Sequence, residues 1–528
     1  MLGYLRQPVI AVFIIGLLFV LVQIFLTDRV RPYTSDDVAW QSTLLTWRPG
    51  SGDIAHFGSD PFIVKLPYYF LLNALFEPSR GLLLVTTLLF AALNFILFYY
   101  AALYFYRLFK VKLTLLNLTP VLWLASMGYW FSSQFLNPNL RNFELGLMCI
   151  LFMYGIKVYR GEVKPFASRV STAVSVVAAA AIGALIISDL YFFYFGVVPL
   201  GIMAASLTYF EKRNKTNGLQ LLGLLGLSYV FAKFIKYLVT RAGIEMIVSA
   251  GDKFAPLNQI PRKMFGTTEA LHYIFNATFW NRTIENLATL GFLLNAALVS
   301  VMLLMTWIFI AKKRLYKAPA APAGGIWRAF LLMLFGFILA IYATTTTTNG
   351  ADTYRYLVLL PYIFVLLAVP LLSEASKKIR QLLAFGFALA TLLNFYTPVT
   401  IDKPKLSGPS PNQSNMDIIS AVKKRRLIRG YAAYWDANIN TYLSQGSVRF
   451  LPVSCTLGQR VVGFTWLVDG KLMRSATSER TFLLKDHTFA QNGCNEEKLM
   501  QQFGTPEEVF SVVGRTVYVY DYDILAKF

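Results

Sequence analysis

Charge is scarce in this sequence. Only 15% of its 528 residues are Asp, Glu, Lys or Arg, with 28 acidic against 49 basic. An ordinary soluble domain carries about 25%, so a soluble globular chain is excluded. Cysteine and histidine are scarcer still, three of each. Cys149, Cys455 and Cys494, and His56, His272 and His487, never fall in metal-type spacing, which leaves no Cys/His metal motif. No small-residue cleavage site follows the first apolar run, Val9 to Leu26. That run is also too long for a secretory leader, so no cleavable signal peptide is expected. An inverted internal repeat is missing, which argues against the common secondary transporters. No acid is placed mid-membrane, as a proton relay would require.

Apolar residues are what the chain has in excess. The hydrophobic share is 56% and the aromatic share 15%, with a mean hydropathy of +0.52. A bilayer-spanning helix needs roughly 20 apolar residues, and about eleven windows qualify. They fall near 8–26, 81–106, 113–132, 143–159, 170–187, 190–209, 218–239, 286–311, 326–344, 354–372 and 378–396. The fold class expected is a polytopic α-helical membrane protein with a C-terminal soluble α+β domain. The net charge of +21 then reflects basic cytoplasmic loops and anionic lipid, not nucleic acid.

Basic clusters set the orientation. Arg107/Lys110/Lys112, Lys157/Arg160/Lys164/Arg169, Lys212/Arg213/Lys215, Lys312/Lys313/Arg314/Lys317 and Lys377/Lys378/Arg380 share one side under this count. That side is cytoplasmic by the positive-inside rule. The N-terminus is then inside and the C-terminal domain outside. Arg29, Arg31 and Arg48 break the rule in the first outer loop. Residues 1–396 form the membrane domain, with long outer loops at 27–80 and 240–285. Within the second, Ile274-Phe275 and Phe279-Trp280 suit an interfacial segment. A linker covers 397–414, and 415–528 is the α+β domain. It has two helices, about 415–428 and 432–444, and strands at Val448–Val453, Val461–Val468, Thr481–Leu484 and Thr516–Asp521. Cys455 and Cys494 both lie in it. A disulfide between them is left open by the sequence.

The chemistry-bearing residues gather on the outer side. Asp36 and Asp37 are adjacent in Tyr33-Thr34-Ser35-Asp36-Asp37-Val38-Ala39-Trp40, just past the first span. Asp60, Asp189 and Asp352 fall on the same side, as do Lys65, Arg141, Arg355 and Tyr356. Acids and bases at one interface suit transfer from a lipid-held phosphate to a polar acceptor. A carboxylate deprotonates the acceptor hydroxyl. A cation stabilises the departing phosphate. Each residue also has a plainer role. Asp36 or Asp37 caps the helix that runs through Val38, and Asp189 caps a later one. Lys65 snorkels from an interfacial helix. Arg355 anchors at the interface. Arg141 pairs with Glu144 at i,i+3 spacing. His272 is a surface or helix-end histidine, with substrate contact as the alternative. Asn94, Gln220 and Asn295 are isolated polar residues in the apolar runs. Asn276-Ala-Thr and Asn281-Arg-Thr match the glycosylation sequon.

These stretches, in this order and on one side, resemble the GT-C superfamily of integral-membrane glycosyltransferases, which includes protein mannosyltransferases and aminoarabinose transferases of lipid A. Asp36-Asp37 resembles the superfamily's acidic pair. Asp60-Pro-Phe-Ile-Val-Lys65-Leu-Pro-Tyr resembles its juxtamembrane helix. Ser188-Asp189-Leu-Tyr-Phe resembles its second acidic site, and Arg355-Tyr356-Leu the Arg-Tyr near the donor phosphate. Tyr431-Ala-Ala-Tyr-Trp435-Asp-Ala437 resembles a C-terminal domain start in bacterial members. The resemblance implies an inverting transferase in a bacterial cytoplasmic membrane. It would move a sugar from a polyprenyl-phosphate donor to a cell-envelope glycan, glycolipid or protein outside the cytoplasm. Asp36 or Asp37 is the base. Lys65, Arg141, Arg355 and Tyr356 bind donor phosphate, and Asp189, Asp60 and His272 form an acceptor or second acidic site. No cofactor is expected. A divalent metal on the acidic pair is the less favoured arrangement. A lipid or polysaccharide flippase, and a non-catalytic envelope assembly protein, are the competing functions.

Overall fold

The computed structural model describes residues 7–528 apart from 48–53, 59–62, 128, 140, 211–214, 248–253, 279–285, 312–321, 346–349, 402–408, 457 and 466–467. Asp60, Arg48, Phe279-Trp280 and Asn281 therefore lie outside the described residues, as does the side chain of Asp352.

The apolar runs are helices, since helix is the form that satisfies every backbone group within one segment. The chain opens with α1 (Gln7–Val30) and α2 (Ser35–Thr46), then strand β1 (Ala55–Gly58) and α3 (Leu66–Leu75). Next come α4 (Arg80–Leu108), α5 (Thr119–Ala125), α6 (Tyr129–Phe135), α7 (Phe143–Tyr159) and α8 (Arg169–Ser188). Then follow α9 (Leu190–Phe192), a π turn at Phe193–Val197, α10 (Val198–Phe210), α11 (Lys215–Arg241), strand β2 (Ile244–Ile247), α12 (Ile260–Ile274) and α13 (Leu287–Ala311). Three further helical stretches, Pro322–Thr344, Leu360–Glu374 and Lys377–Ile401, complete the bundle. A 3₁₀ segment, Gly350–Leu357, sits before the second of them.

Among the described residues, six helices are long and apolar enough to cross a membrane: Gln7–Val30, Arg80–Leu108, Arg169–Ser188, Lys215–Arg241, Leu287–Ile308 and Thr353–Leu372. The expected count of about eleven is not confirmed. Two expected spans are interrupted. The 113–132 run is two short helices, α5 and α6, with a break at Ser126. The break is tolerated because it is buried in protein, where Gln23 Nε2 donates to the Ser126 carbonyl at 3.4 Å. The 190–209 run is divided by the π turn.

Small residues and amide networks hold the bundle. A Cβ on Gly146 would lie 2.7 Å from the Asn94 carbonyl oxygen, so glycine there lets α7 close on α4. Of the three polar residues singled out in the apolar runs, Asn94 and Asn295 are not isolated, whereas Gln220 Oε1 is buried without a hydrogen-bond partner among the described residues. Asn94 Nδ2 donates to Tyr362 OH at 2.6 Å, and Asn94 Oδ1 accepts from Gly146 N at 2.8 Å. Asn295 Oδ1 accepts from Trp123 Nε1 at 2.8 Å, while its Nδ2 donates to Asn394 Oδ1 at 2.7 Å. Asn276 Nδ2 donates to the same Asn394 oxygen at 2.9 Å. These hydrogen bonds tie separate segments of the bundle together. Asn276 is fully buried, so its sequon is closed to modification.

The C-terminal region carries a six-stranded sheet in the order β5-β4-β3-β7-β9-β8. The strands are β3 (Arg429–Ala433), β4 (Arg449–Cys455), β5 (Val461–Gly463), β7 (Thr481–Lys485), β8 (Glu508–Val512) and β9 (Arg515–Tyr520). Alternation along the strands builds two cores. Phe482, Leu484, Val517 and Val519 pack on Ile418, Ile419 and Val422 of the Gln413–Lys424 helix. Leu483, Tyr518 and Tyr520 pack on Leu499 and Phe503 from the opposite side. Strands β3 and β8 are additions to the expected set, and the expected Val461–Val468 strand is two, β5 and β6 (Val468–Asp469). Cys455 and Cys494 form a disulfide.

This region is stitched to the bundle's loops. Strand β1 pairs in parallel with β2 and antiparallel with β6. Asn412, at the end of the linker, exchanges two hydrogen bonds with the Tyr33 backbone, at 3.0 and 2.9 Å. Burial, and behind it the Asp28 carboxylate, push the Tyr33 phenol well above its ordinary range.

Candidate functional site

The two adjacent acids separate into different roles at the first turn of α2. Thr34 precedes the helix in extended conformation. Asp37, three residues on, turns back. Its Oδ2 accepts from Thr34 N at 2.6 Å and Thr34 Oγ1 at 3.0 Å. This is a capping box with Asp in the place usual for Glu. Arg31 Nη2 stands 3.2 Å from the other oxygen, and the Asp37 side chain has no exposed surface. Its carboxylate is spent on the helix start. Thr34-x-x-Asp37 was visible in the sequence, so this role had a local signal.

Asp36 is one residue, or about 100° of helix, away. Its side chain keeps 18% exposure, and its Oδ2 lies 3.9 Å from Arg355 Nη1. Its Oδ1 accepts from Tyr434 OH at 2.6 Å. Its backbone carbonyl accepts from Asn139 Nδ2 at 2.8 Å. Tyr434 begins the helix Tyr434–Leu443 of the C-terminal region and packs edge-on to Trp435. Nearby, Ile439 N donates to Ser35 Oγ at 3.3 Å. The acid with surface left to react is therefore held between the bundle and the C-terminal region. The Tyr434 contact had no local sequence signal beyond its aromatic cluster.

The expected phosphate-binding cations divide in the same way. Lys65 Nζ is 3.0 Å from Glu144 Oε1, with side-chain exposures of 0% and 1%. The ammonium also lies over Phe90 and Phe143. Arg141 does not pair with Glu144, because α7 starts only at Phe143 and helical spacing does not reach back to it. It grips Asp189 with both Nε and Nη2, at 2.8 and 2.9 Å, and lies over Tyr191 at 4.3 Å. Asp189 also caps α9 by accepting from Tyr191 N. Glu144, for its part, accepts from Asn142 N at 2.8 Å. Phosphate could reach Lys65 or Arg141 only by breaking a buried ion pair, which costs about 3–5 kcal/mol. The structure thus gives Lys65, Arg141 and Asp189, expected as donor-phosphate contacts and as an acceptor or second acidic site, buried ionic partners within the protein.

Arg355 is different. Its side chain is 37% exposed and its guanidinium lies 5.4 Å from the Tyr356 ring centre. Tyr356 in turn takes Arg141 at 5.6 Å on its ring, so one phenol links the exposed and the buried arginine. His272 lies on α12, with Nδ1 2.6 Å from the Thr268 carbonyl oxygen one turn back. Asn139, which donates to the Asp36 carbonyl, is itself held from the chain just before it. Asn137 Oδ1 accepts from Asn139 N, and Tyr69 OH donates to the Pro138 carbonyl at 2.8 Å. Burial, then the Glu144 charge, hold the Tyr69 phenol protonated.

Among the described residues no cluster of three or more His, Cys, Asp or Glu is placed to hold a metal ion. The arrangement at Asp36 pairs one carboxylate with one partly exposed guanidinium at the end of an apolar bundle. It can accept a proton on one side and steady an anion on the other. Neither any protein-family model nor any curated protein matches this sequence.

Proposed function

We propose that this protein is an inverting glycosyltransferase that moves a sugar from a polyprenyl-phosphate donor to a cell-envelope glycan, glycolipid or protein, with Asp36 as general base. The observation that carries the reading is the Asp36–Arg355 pair, a carboxylate with exposed surface 3.9 Å from a partly exposed guanidinium. The acceptor hydroxyl gives its proton to Asp36 as its oxygen bonds to the anomeric carbon. The bond from that carbon to the lipid phosphate breaks, and the phosphate leaves toward Arg355. One displacement inverts the anomeric centre. A positioned base contributes about 10²–10⁴ in rate, or roughly 3–5 kcal/mol. A monophosphate leaving group beside a guanidinium needs no divalent metal, so transfer in the presence of chelator is part of the proposal.

Tyr434 has a place in this scheme. Its hydroxyl sits on Asp36 Oδ1, where an acceptor hydroxyl must sit to lose its proton. The acceptor displaces it. The site faces the non-cytoplasmic side of a cytoplasmic membrane in this reading. The basic loops favour that orientation, and the Cys455–Cys494 disulfide suits an oxidising compartment.

The test is glycan analysis in a deletion strain. One envelope glycan should lose one sugar, and wild-type protein should restore it. Asp36→Asn should accumulate in the membrane and restore nothing. Asp37→Asn should retain transfer and lose stability instead. Full restoration by Asp36→Asn would sink the proposal.

A further inference from the structure

We infer that α12 and the turn before it form a platform seated in the membrane–water boundary, at the same end of the bundle as Asp36, and that its partner is anionic phospholipid. The expected interfacial pair Ile274-Phe275 is buried, at 0% and 2% exposure, with Phe275 packed on Trp123 and Phe364. The exposed apolar side chains lie earlier: Phe254 at 82%, Leu257 at 85%, Met264 at 58% and Phe265 at 77%. Pro261, Met264 and Phe265 stand at i, i+3 and i+4, so they share one side of α12. Gly266, Thr267, Ala270 and Ile274 are the buried residues of α12. The helix packs against Gly350–Leu357, where Tyr273 lies against Tyr354.

Two observations choose lipid as the occupant. The first is height. Ala255 N donates to the Thr344 carbonyl at 2.7 Å, and Phe254 bridges to Thr345. Phe254 therefore sits at the end of the apolar helix Pro322–Thr344. On its other flank, Gly350–Leu357 runs into the membrane-length stretch Thr353–Leu372. The exposed side chains continue the apolar belt at its rim. The second is charge. Exposed Arg262 stands three residues before Phe265, on the same side of α12. An amphipathic helix with basic residues beside large apolar ones lies in the interface plane, its apolar groups about 5–10 Å into the headgroup–acyl boundary. Anionic headgroups then meet Arg262, whereas Lys263 shares the packed side of α12 with Gly266, Thr267 and Ala270. Because the same 3₁₀ segment that α12 packs on carries Arg355, lipid seating steadies the cation of the candidate site.

Nitroxide labelling of Phe265→Cys in the full chain tests this without any assumption about activity. Cys149 is buried and the other two cysteines are joined, so the label goes to position 265. In phosphatidylcholine nanodiscs containing phosphatidylglycerol, the label should be more accessible to oxygen than to a polar nickel complex. A label at exposed Lys424→Cys, on the C-terminal region, should show the reverse. Adding Arg262→Gln should make the 265 label shallower in discs with phosphatidylglycerol, and leave it unchanged in phosphatidylcholine alone. A 265 label favouring the nickel complex would overturn the platform. So would spin–spin broadening that vanishes on dilution with unlabelled protein, which would mark contact with a second copy. Equal depth in both lipid mixtures would overturn the anionic partner.

Discussion

Replacing Lys65 by methionine separates a structural cation from a substrate-binding one. Lys65 and Glu144 are 3.0 Å apart and both are almost without exposed surface. Methionine keeps the length of the stem and removes the charge. Glu144 is then a buried carboxylate with no counter-ion, and the expected destabilisation is about 3–5 kcal/mol. That is roughly 10²- to nearly 10⁴-fold in the folding equilibrium. The assay is unfolding of the purified full chain in mixed micelles by increasing SDS, followed by helical circular dichroism. The double variant Lys65→Met with Glu144→Leu removes both charges and should return most of the lost stability, because an apolar pair of similar volume replaces a buried ion pair at little cost. A phosphate-binding Lys65 predicts a different pattern: the single variant folds normally, loses transfer, and is not rescued by Glu144→Leu. If Lys65→Met lies within about 1 kcal/mol of wild type, or the double variant is no better than the single, the buried-pair reasoning fails.

Two further outcomes follow from the same contacts. Tyr434→Phe removes the hydroxyl that competes for Asp36, and a single hydrogen bond is worth about 1 kcal/mol. The acceptor KM should fall up to about fivefold with kcat unchanged. A tenfold fall in kcat at constant KM, a free-energy change of about 1.4 kcal/mol, would show that Tyr434 positions the base instead. In the C-terminal region, burial and then the Asp523 hydrogen bond raise the Tyr431 phenol, and burial raises Tyr520. A phenol raised in the fold stabilises it fully below the unfolded pKa of about 10, and that stability is lost as pH climbs above it. Tyrosinate absorbance should therefore appear together with loss of β-sheet circular dichroism above about pH 10. Smooth ionisation of all tyrosines near pH 10 with the sheet intact would contradict the burial.

What could be read from the sequence was the part set by local composition. The helices Arg80–Leu108 and Arg169–Ser188 start and end close to the expected 81–106 and 170–187, since a long apolar run has one stable form in lipid. The break between α5 and α6 was not readable. A hydropathy window averages over Ser126 and cannot see that Gln23, far earlier in the chain, satisfies its carbonyl. Strand β3 was missed because Arg429–Ala433 is short and alanine-rich. Its strand identity comes from Arg449–Cys455 and Thr481–Lys485 on its two sides.

The same distinction runs through the candidate site. That Lys65, Arg141, Asp189 and Glu144 are charged and lie outside or at the edges of the apolar runs is sequence information. Which cation meets which acid is not. The i,i+3 rule paired Arg141 with Glu144, and tertiary contacts exchanged those partners. The exchange has a functional consequence. Two of the three basic residues offered for phosphate are neutralised by buried acids, and one of the two adjacent aspartates is consumed in starting a helix. Asp36 and Arg355 are the pair left with surface, and both belong to segments held by other parts of the chain. Asp36 is held by Tyr434 and Asn139. Arg355 is held through Tyr356, the ring that Arg141 also covers. In the proposed reaction the buried ion pairs serve as the frame for Asp36 and Arg355, and changes to Lys65 or Arg141 should lower transfer only as far as they loosen that frame.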